Sequence, residues 1–231
     1  MRKNTQKRLV TPSSRLRSTK ALQRKKIARG RKIETSERKL AILDSALTEF
    51  AERGFEAARL DDVAARAGIA KGTLYLYFDD KEGLFEEVVR CAVTPILEQL
   101  SALATAPDIS ADKALEKLFS LFEREILGTK RKLLIRLIMA EGPRFPRIAE
   151  FYYRNVIARI MPLLAKMAER AIERGEFSCN ALARYPQLVA APLLVAVIWD
   201  ALFATIEPLD VADFFSAYRE VLEGRTRRPL P

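Results

Sequence analysis

The stretch LDDVAARAGIAKGTLYLYF, from Leu60 to Phe78, constrains this chain more than any other. Asp61 and Asp62 stand where carboxylates favour the positive end of a helix dipole, and Val63, Ala64 and Ala67 share one face of that helix. Gly68 ends it, because glycine adopts the left-handed conformation that turns the chain sharply. Ile69 then drops toward the core and Lys71 opens a second helix. Leu74 and Phe78, four apart, pack that helix back on the first. The spacing therefore predicts two short helices about a tight turn, with Lys71, Gly72, Thr73, Tyr75, Leu76 and Tyr77 facing outward. This is the helix-turn-helix pattern, whose second helix lies in the major groove of DNA.

The flanks predict further helices. Ser36 to Arg53 carries Leu40, Leu43, Leu47 and Phe50 at helical spacing, with Ser36 as N-cap and Gly54 as stop. Asp80 caps a helix from Lys81 that holds Leu84, Phe85 and Val88 on one stripe. Taken alone, the turn motif also suits a helical hairpin in some other all-α protein. With its flanks, ERKLAILDSALTEFAERGFEAARLDDVAARAGIAKGTLYLYFDDKEGLF resembles the amino-terminal domain of the TetR/AcrR family of transcriptional regulators, from Ser36 to about Val89.

That resemblance implies roles for particular residues. Thr73 and Tyr75 match positions that contact base edges, thymine methyls or nearby phosphates, and Gly72 lets the backbone approach closely. Tyr77 and Lys81 match positions that grip phosphates, and Lys71 reaches a guanine or a phosphate. The chain departs from the family at Ala58 and Arg59, where hydroxyl residues are common, and at Ala70, where a serine commonly caps the recognition helix. Losing a cap costs about 0.5 to 2 kcal/mol. Arg59 compensates with a phosphate contact in this reading, and Leu76 favours apolar contact with a thymine methyl.

Charge adds a second anomaly. Lys and Arg number 40 against 30 acids, a net charge of +10. Met1 to Ile33 alone holds 13 cations and no acid, so the rest of the chain is slightly acidic. Composition predicts disorder for residues 1–35 in isolation. Three readings compete: a solvated extension, an arm reaching phosphates or the minor groove, and an organelle transit peptide. The chain has 2 cysteines, Cys91 and Cys179, and no histidine. No disulfide framework, metal site or histidine-based catalysis is expected, and no phosphate-binding loop appears. The expectation is a cytoplasmic protein without catalytic residues, metal or cofactor.

Beyond Lys81 the periodicity is helical nearly throughout, giving an all-α chain: a helix-turn-helix domain over 36–81, then a helical ligand-binding and dimerisation domain over 82–231. Helices are predicted from Lys81 to about Ala104 (bent at Pro95), Ser110 to Leu127, Lys130 to Ala140, Arg147 to Arg174 (interrupted at Pro162), Tyr185 to Ile206, and Val211 to Leu222. The Tyr185 to Ile206 segment has the ~20 residues a bilayer needs, but Asp200 would cost roughly 2.5 to 3.5 kcal/mol there, so no membrane span is expected. A helix apolar nearly all round needs cover on every side. In the family resembled, the last two long helices pair with a second subunit's, which assigns Trp199, Phe203, Phe214 and Tyr218 to a homodimer interface.

RKLLIRLIMAEGPRFPRIAEFYY resembles, less specifically, the carboxy-terminal domain of AefR-like members. Phe119, Phe122, Leu134, Ile138, Met139, Phe151, Tyr152, Met161 and Trp199 read singly as core. As a set they suit an apolar pocket, which the resemblance implies among the middle helices, for an apolar or aromatic small molecule. The expected function is a ligand-responsive regulator, most simply a repressor, that binds a near-palindromic double-stranded DNA operator as a homodimer. The alternatives are a small-molecule-binding helical protein with a vestigial DNA-binding head, and a non-specific basic nucleic-acid-binding protein.

Overall fold

A computed structural model describes residues 36–177 and 180–222. The basic tail and Cys179 lie outside the described residues. The chain divides between Ile42 and Leu43 into two units, and apart from residues 36–42 everything described below lies in the larger. Every regular element among the described residues is helical.

Helix α1 spans residues 36–57. Gly54 has φ +77°, the expected left-handed turn, yet a further helical turn carries Phe55 inward to 3% exposure. Phe50, Phe55 and Phe85 form a triangle of rings with centroids 5.7 to 6.0 Å apart. Helices α2 (Leu60–Arg66) and α3 (Lys71–Tyr75) follow. Helix α4 (Lys81–Thr105) starts where the Asp80 carboxylate accepts from the Gly83 N–H at 2.7 Å, satisfying one of the free donors of a helix start. It runs unbroken through Pro95, so one helix joins the head to the rest of the fold.

Helix α5 (Ala111–Phe122) is capped by the Ser110 hydroxyl and passes into a π turn, Glu123–Leu127, before Gly128. Helix α6 is Arg131–Glu141. Helix α7 (Pro146–Tyr152) begins on a proline, whose missing N–H costs nothing there. A second π turn, Tyr153–Ile157, leads into α8 (Ala158–Glu173). The sequence places the interruption at Pro162, but α8 continues through it and the irregularity lies earlier. A helical proline clashes with the carbonyl four residues back, here Ala158, which stands at the exit of the wide turn. Helix α9 (Ala181–Arg184) is a single turn with no forecast in the sequence. Helices α10 (Gln187–Leu202) and α11 (Val211–Leu222) complete the chain.

Helix α8 packs on α4 and α5, α11 packs on α5, and α10 packs on α6, α9 and α11. The core between them contains Leu100, Leu118, Phe119, Leu164, Ala168, Leu193 and Phe215, with Phe119 stacked on Phe215 at 4.6 Å. Arg170 of α8 and Arg174 just past its end donate to the carbonyls of Ala104, Ala106, Pro107 and Ile109, filling acceptors at the end of α4 and in the segment after it. Asp200, the one acid in α10, is held by Lys132 at 2.9 Å and Arg136 at 2.5 Å from α6. No helix among the described residues is long and apolar enough to cross a membrane.

Candidate nucleic-acid interface and apolar cavity

The turn between α2 and α3 is a Schellman closure. Gly68, at φ +67°, donates to the Ala65 carbonyl at 3.1 Å, and Ile69 donates to that of Ala64 at 3.0 Å, which satisfies two carbonyls at the end of α2. Helix α2 is fixed to α1 by Arg66, which bonds both oxygens of Glu52 and, at 3.2 Å, Glu49. Glu52 and then Glu49 hold the Arg66 guanidinium above its usual range. Glu49 is 2% exposed, and its second oxygen accepts no hydrogen bond. Sequence reasoning missed this buried acid; its only mark is a charge on the apolar face of α1.

Helix α3 ends at Tyr75, short of the Phe78 that the spacing places on it, and the forecast face is shared between the helix and the turn that follows. Leu74 is 0% and Phe78 7% exposed, while Tyr75 is 43% and Leu76 84% exposed. Lys71 and Gly72 are exposed, but Thr73 and Tyr77 are half-buried, so the open surface is narrower than the sequence implies. Neither Arg59 nor Ala70 supplies a side-chain cap to the helix it precedes. Arg59 is exposed.

The two lysines are already engaged. Lys71 donates to Asp61 at 2.8 Å and lies 5.9 Å from the Tyr75 ring centroid; the hydrogen bond to Asp61 holds its ammonium above the usual range. Lys81, which matches a phosphate-gripping position, donates to the Glu56 carbonyl at 2.7 Å and sits 4.9 Å over the Phe55 ring. The end of α1 offers it a free carbonyl and a ring face together, and both attract a cation.

An apolar cavity of about 140 Å³ opens among α4, α5, α6, the end of α7, α8, α10 and both π turns. Phe122, Leu134, Tyr152 and Met161 line it, while Phe119, Ile138, Met139, Phe151 and Trp199 do not. Each of those five is drawn elsewhere. Phe119 is spent on Phe215, and Met139 is 48% exposed. Phe151 lies under Arg90, 5.0 Å from the guanidinium. Ile138 is half-buried outside the cavity wall. Trp199 donates its indole N–H to the Glu207 carbonyl at 2.6 Å and packs edge-on against Phe203. Aliphatic residues supply most of the wall, among them Val93, Ile96 and Leu100 of α4. Their spacing along α4 is the signal for them in the sequence, and it is the same as that of ordinary core residues. Among the described residues no cluster of His, Cys, Asp and Glu is arranged to hold a metal.

The expected interface residues are also partly spent within the chain. Tyr218 donates to the Leu188 carbonyl at 2.5 Å, and Phe214 and Tyr218 pack against the core. The apolar side chains left open on α10 are Leu188, Leu194, Val195 and Leu202, with Phe203 and Ile206 just beyond. Leu188, Val195 and Leu202 repeat every seven residues, the period of a helix-pairing seam.

Residues 42–88 match the bacterial regulatory proteins of the tetR family, and residues 113–219 match the carboxy-terminal domain of AefR-like transcriptional repressors. The HTH-type transcriptional regulator AcrR of Shigella flexneri is 32% identical over 181 residues, 77% of this chain and 84% of that protein. IcaR, the HTH-type negative transcriptional regulator of the biofilm operon icaADBC in Staphylococcus aureus (strain Newman), is 42% identical over 50 residues, 22% of this chain and 27% of that protein. In fold the chain is similar to Salmonella enterica GusR, with a TM-score of 0.61 at 23% identity, covering 81% of this chain and 94% of that one. A head whose recognition helix is tied down by a Schellman turn, joined through α4 to a helical bundle, is therefore found with the sequence marks of one family over both parts: this chain belongs to the TetR family of bacterial regulatory proteins.

Proposed function

We propose that the chain is a ligand-responsive transcriptional repressor, not an enzyme, which acts in the cytoplasm and binds a near-palindromic operator as a homodimer. The observation that carries this reading is α3, a helix anchored by a fully buried Leu74 with Tyr75 and Leu76 left open to solvent. Residues 36–81 form the reading head, in which Arg59, Lys71, Gly72, Thr73, Tyr75, Leu76 and Tyr77 meet the DNA. Lys81 orders the end of α1 and meets the phosphates beside that surface. The names carried by AcrR and IcaR, the latter a negative regulator, support regulation by repression.

Residues 82–231 supply the dimer seam and the ligand site. The open Leu188, Val195 and Leu202 on α10 support pairing with a second copy, and the cavity supports a small apolar ligand. Two elements touch both cavity and head. Helix α4 lines the cavity with Val93 and Ile96 and buries Phe85 among the head's rings. Helix α6 lines it with Leu134 and Ile135 and meets α1 through the residues at its ends. Ligand binding that favours one arrangement of these helices changes the separation of the two heads, which is the differential affinity allostery requires.

Binding isotherms on an inverted repeat from the DNA beside the chain's own gene, against random duplex at several salt concentrations, test the proposal. A specificity ratio of about 10³ or more is expected. No DNA binding would support a vestigial head, and binding without preference would support a non-specific basic protein. One of the competing readings of Met1 to Ile33 is an arm that neutralises further phosphates. Its deletion then lowers the slope of log K against log salt by about 0.9 for each phosphate the arm had neutralised, and equal slopes would remove that role.

A further inference from the structure

We propose that the cavity admits an uncharged, mainly apolar molecule about the size of one aromatic ring, carrying a single hydrogen-bond acceptor that the Tyr152 hydroxyl engages. This rests on the ligand-site reading above and adds the chemical class. Size comes first. The volume is about 140 Å³, close to the roughly 150 Å³ of an engineered apolar cavity that stays dry and takes benzene.

Charge is decided by the wall. Among the described residues no aspartate or glutamate lines the cavity, and Arg131 is the one ionic residue there. That guanidinium is committed to Glu125, with Nη1 donating at 2.9 Å to the carboxylate and at 3.2 Å to the backbone carbonyl. An ammonium ligand would meet no carboxylate, and a carboxylate ligand would have to displace Glu125. An unpaired charge in such a wall carries a heavy desolvation cost.

Tyr152 supplies the polar handle. Its phenol lies deep enough that burial pushes its pKa up to about 12, so it stays protonated near neutrality. The residue nevertheless keeps accessible surface and lines the cavity. Its hydroxyl makes no hydrogen bond among the described residues and keeps some accessible surface of its own. A protonated phenol without a partner is a donor waiting for an acceptor. The two π turns deliver Ile126, Val156 and Ile157 to the same wall. Such turns are frequent at functional sites.

The test uses the full chain without DNA and four probes of equal heavy-atom count: acetophenone (neutral, one acceptor), cumene (neutral, none), benzoate (anion) and benzamidine (cation), measured by titration calorimetry. Acetophenone should bind between about twofold and tenfold tighter than cumene, and both should bind tighter than either ion. In Tyr152→Phe the advantage of acetophenone should vanish while cumene binding holds, and Ile160→Phe, which fills the cavity, should weaken both neutral probes. If Tyr152→Phe does not fold, the wild-type ranking decides. Binding of an ion ahead of cumene, an acetophenone advantage that survives Tyr152→Phe, or no binding of any probe would overturn the proposal. Operator binding measured in parallel separates the two readings. Operator binding without probe binding removes only this ligand class, and acetophenone held through Tyr152 by a chain that finds no operator removes only the regulatory role.

Discussion

Lys130, at the start of α6, places its ammonium 2.7 Å from the carboxylate of Asp44 on α1. Past the other end of α6, Arg144 lies 2.7 Å from Glu56 and the Phe145 ring sits 5.3 Å from that of Phe55. Helix α6 thus meets both halves of α1 while its middle lines the cavity. All four charged partners are more than half exposed, and exposed pairs are worth about 0 to 1 kcal/mol. Lys130→Ala combined with Arg144→Ala should therefore leave the thermal midpoint nearly unchanged, yet lower operator affinity severalfold by loosening the head. Superimposable operator isotherms would assign head positioning to α4 alone.

The faces of α3 give the second prediction. Leu74→Ala opens a cavity at a fully buried site and should cost roughly 2 to 5 kcal/mol of stability. Tyr75→Ala removes an exposed ring and should leave stability nearly intact while weakening operator binding by about 1 to 3 kcal/mol. Calorimetric unfolding beside operator titration checks both. Equal loss of folding in the two variants would mean the faces are wrongly assigned.

The elements that sequence made legible are those whose conformation leaves a residue signature. Gly54 and Gly68 mark left-handed turns because other residues rarely adopt them, and the Asp80 and Ser110 caps are visible for similar chemical reasons. The π turns at Glu123–Leu127 and Tyr153–Ile157 were not legible. One extra residue in a turn shifts an apolar stripe by less than the stripe's own width, so periodicity tolerates it. Tertiary competition hid the rest. Nothing local tells that Lys81 turns to a carbonyl 25 residues back, or that Phe119 is claimed by Phe215 rather than by the cavity.

Alkaline stability should report the setting of Tyr152. Its folded pKa is raised to about 12 by burial, against about 10 for an unfolded tyrosine. The folded state then holds a proton that the unfolded state loses. The stability linked to this group is fully present below about pH 10 and falls as pH rises toward about 12, by at most about 1.4 kcal/mol per pH unit. Tyr152→Phe should show a correspondingly flatter decline in that window. Urea unfolding at a series of pH values measures it, and parallel curves for the two proteins would place the phenol in contact with solvent.

The seam on α10 predicts which substitutions part a dimer. Val195 and Leu202 are 42% and 61% exposed, so Val195→Asp with Leu202→Asp should give a folded monomer by analytical ultracentrifugation. Phe214 packs against the core, so Phe214→Asp should lower the unfolding midpoint first. A Val195→Asp, Leu202→Asp protein that remains dimeric would move the interface off this stripe.

The Asp61 and Lys71 pair carries the last prediction, because it ties the first residue of α3 to the first turn of α2 across an exposed surface. While the ammonium serves Asp61 it is not free for phosphate, and the carboxylate itself repels the DNA backbone. Asp61→Asn removes both effects. With the pair 61% and 43% exposed, its loss should leave the thermal midpoint nearly unchanged. Operator affinity should rise severalfold, and the slope of log K against log salt should steepen by about 0.9 for each phosphate that a freed Lys71 neutralises. Lys71→Ala in the same background should cancel the gain. If Asp61→Asn instead weakens binding with an unchanged salt slope, Asp61 is the residue that holds Lys71 in its reading position, and the pair persists in the complex.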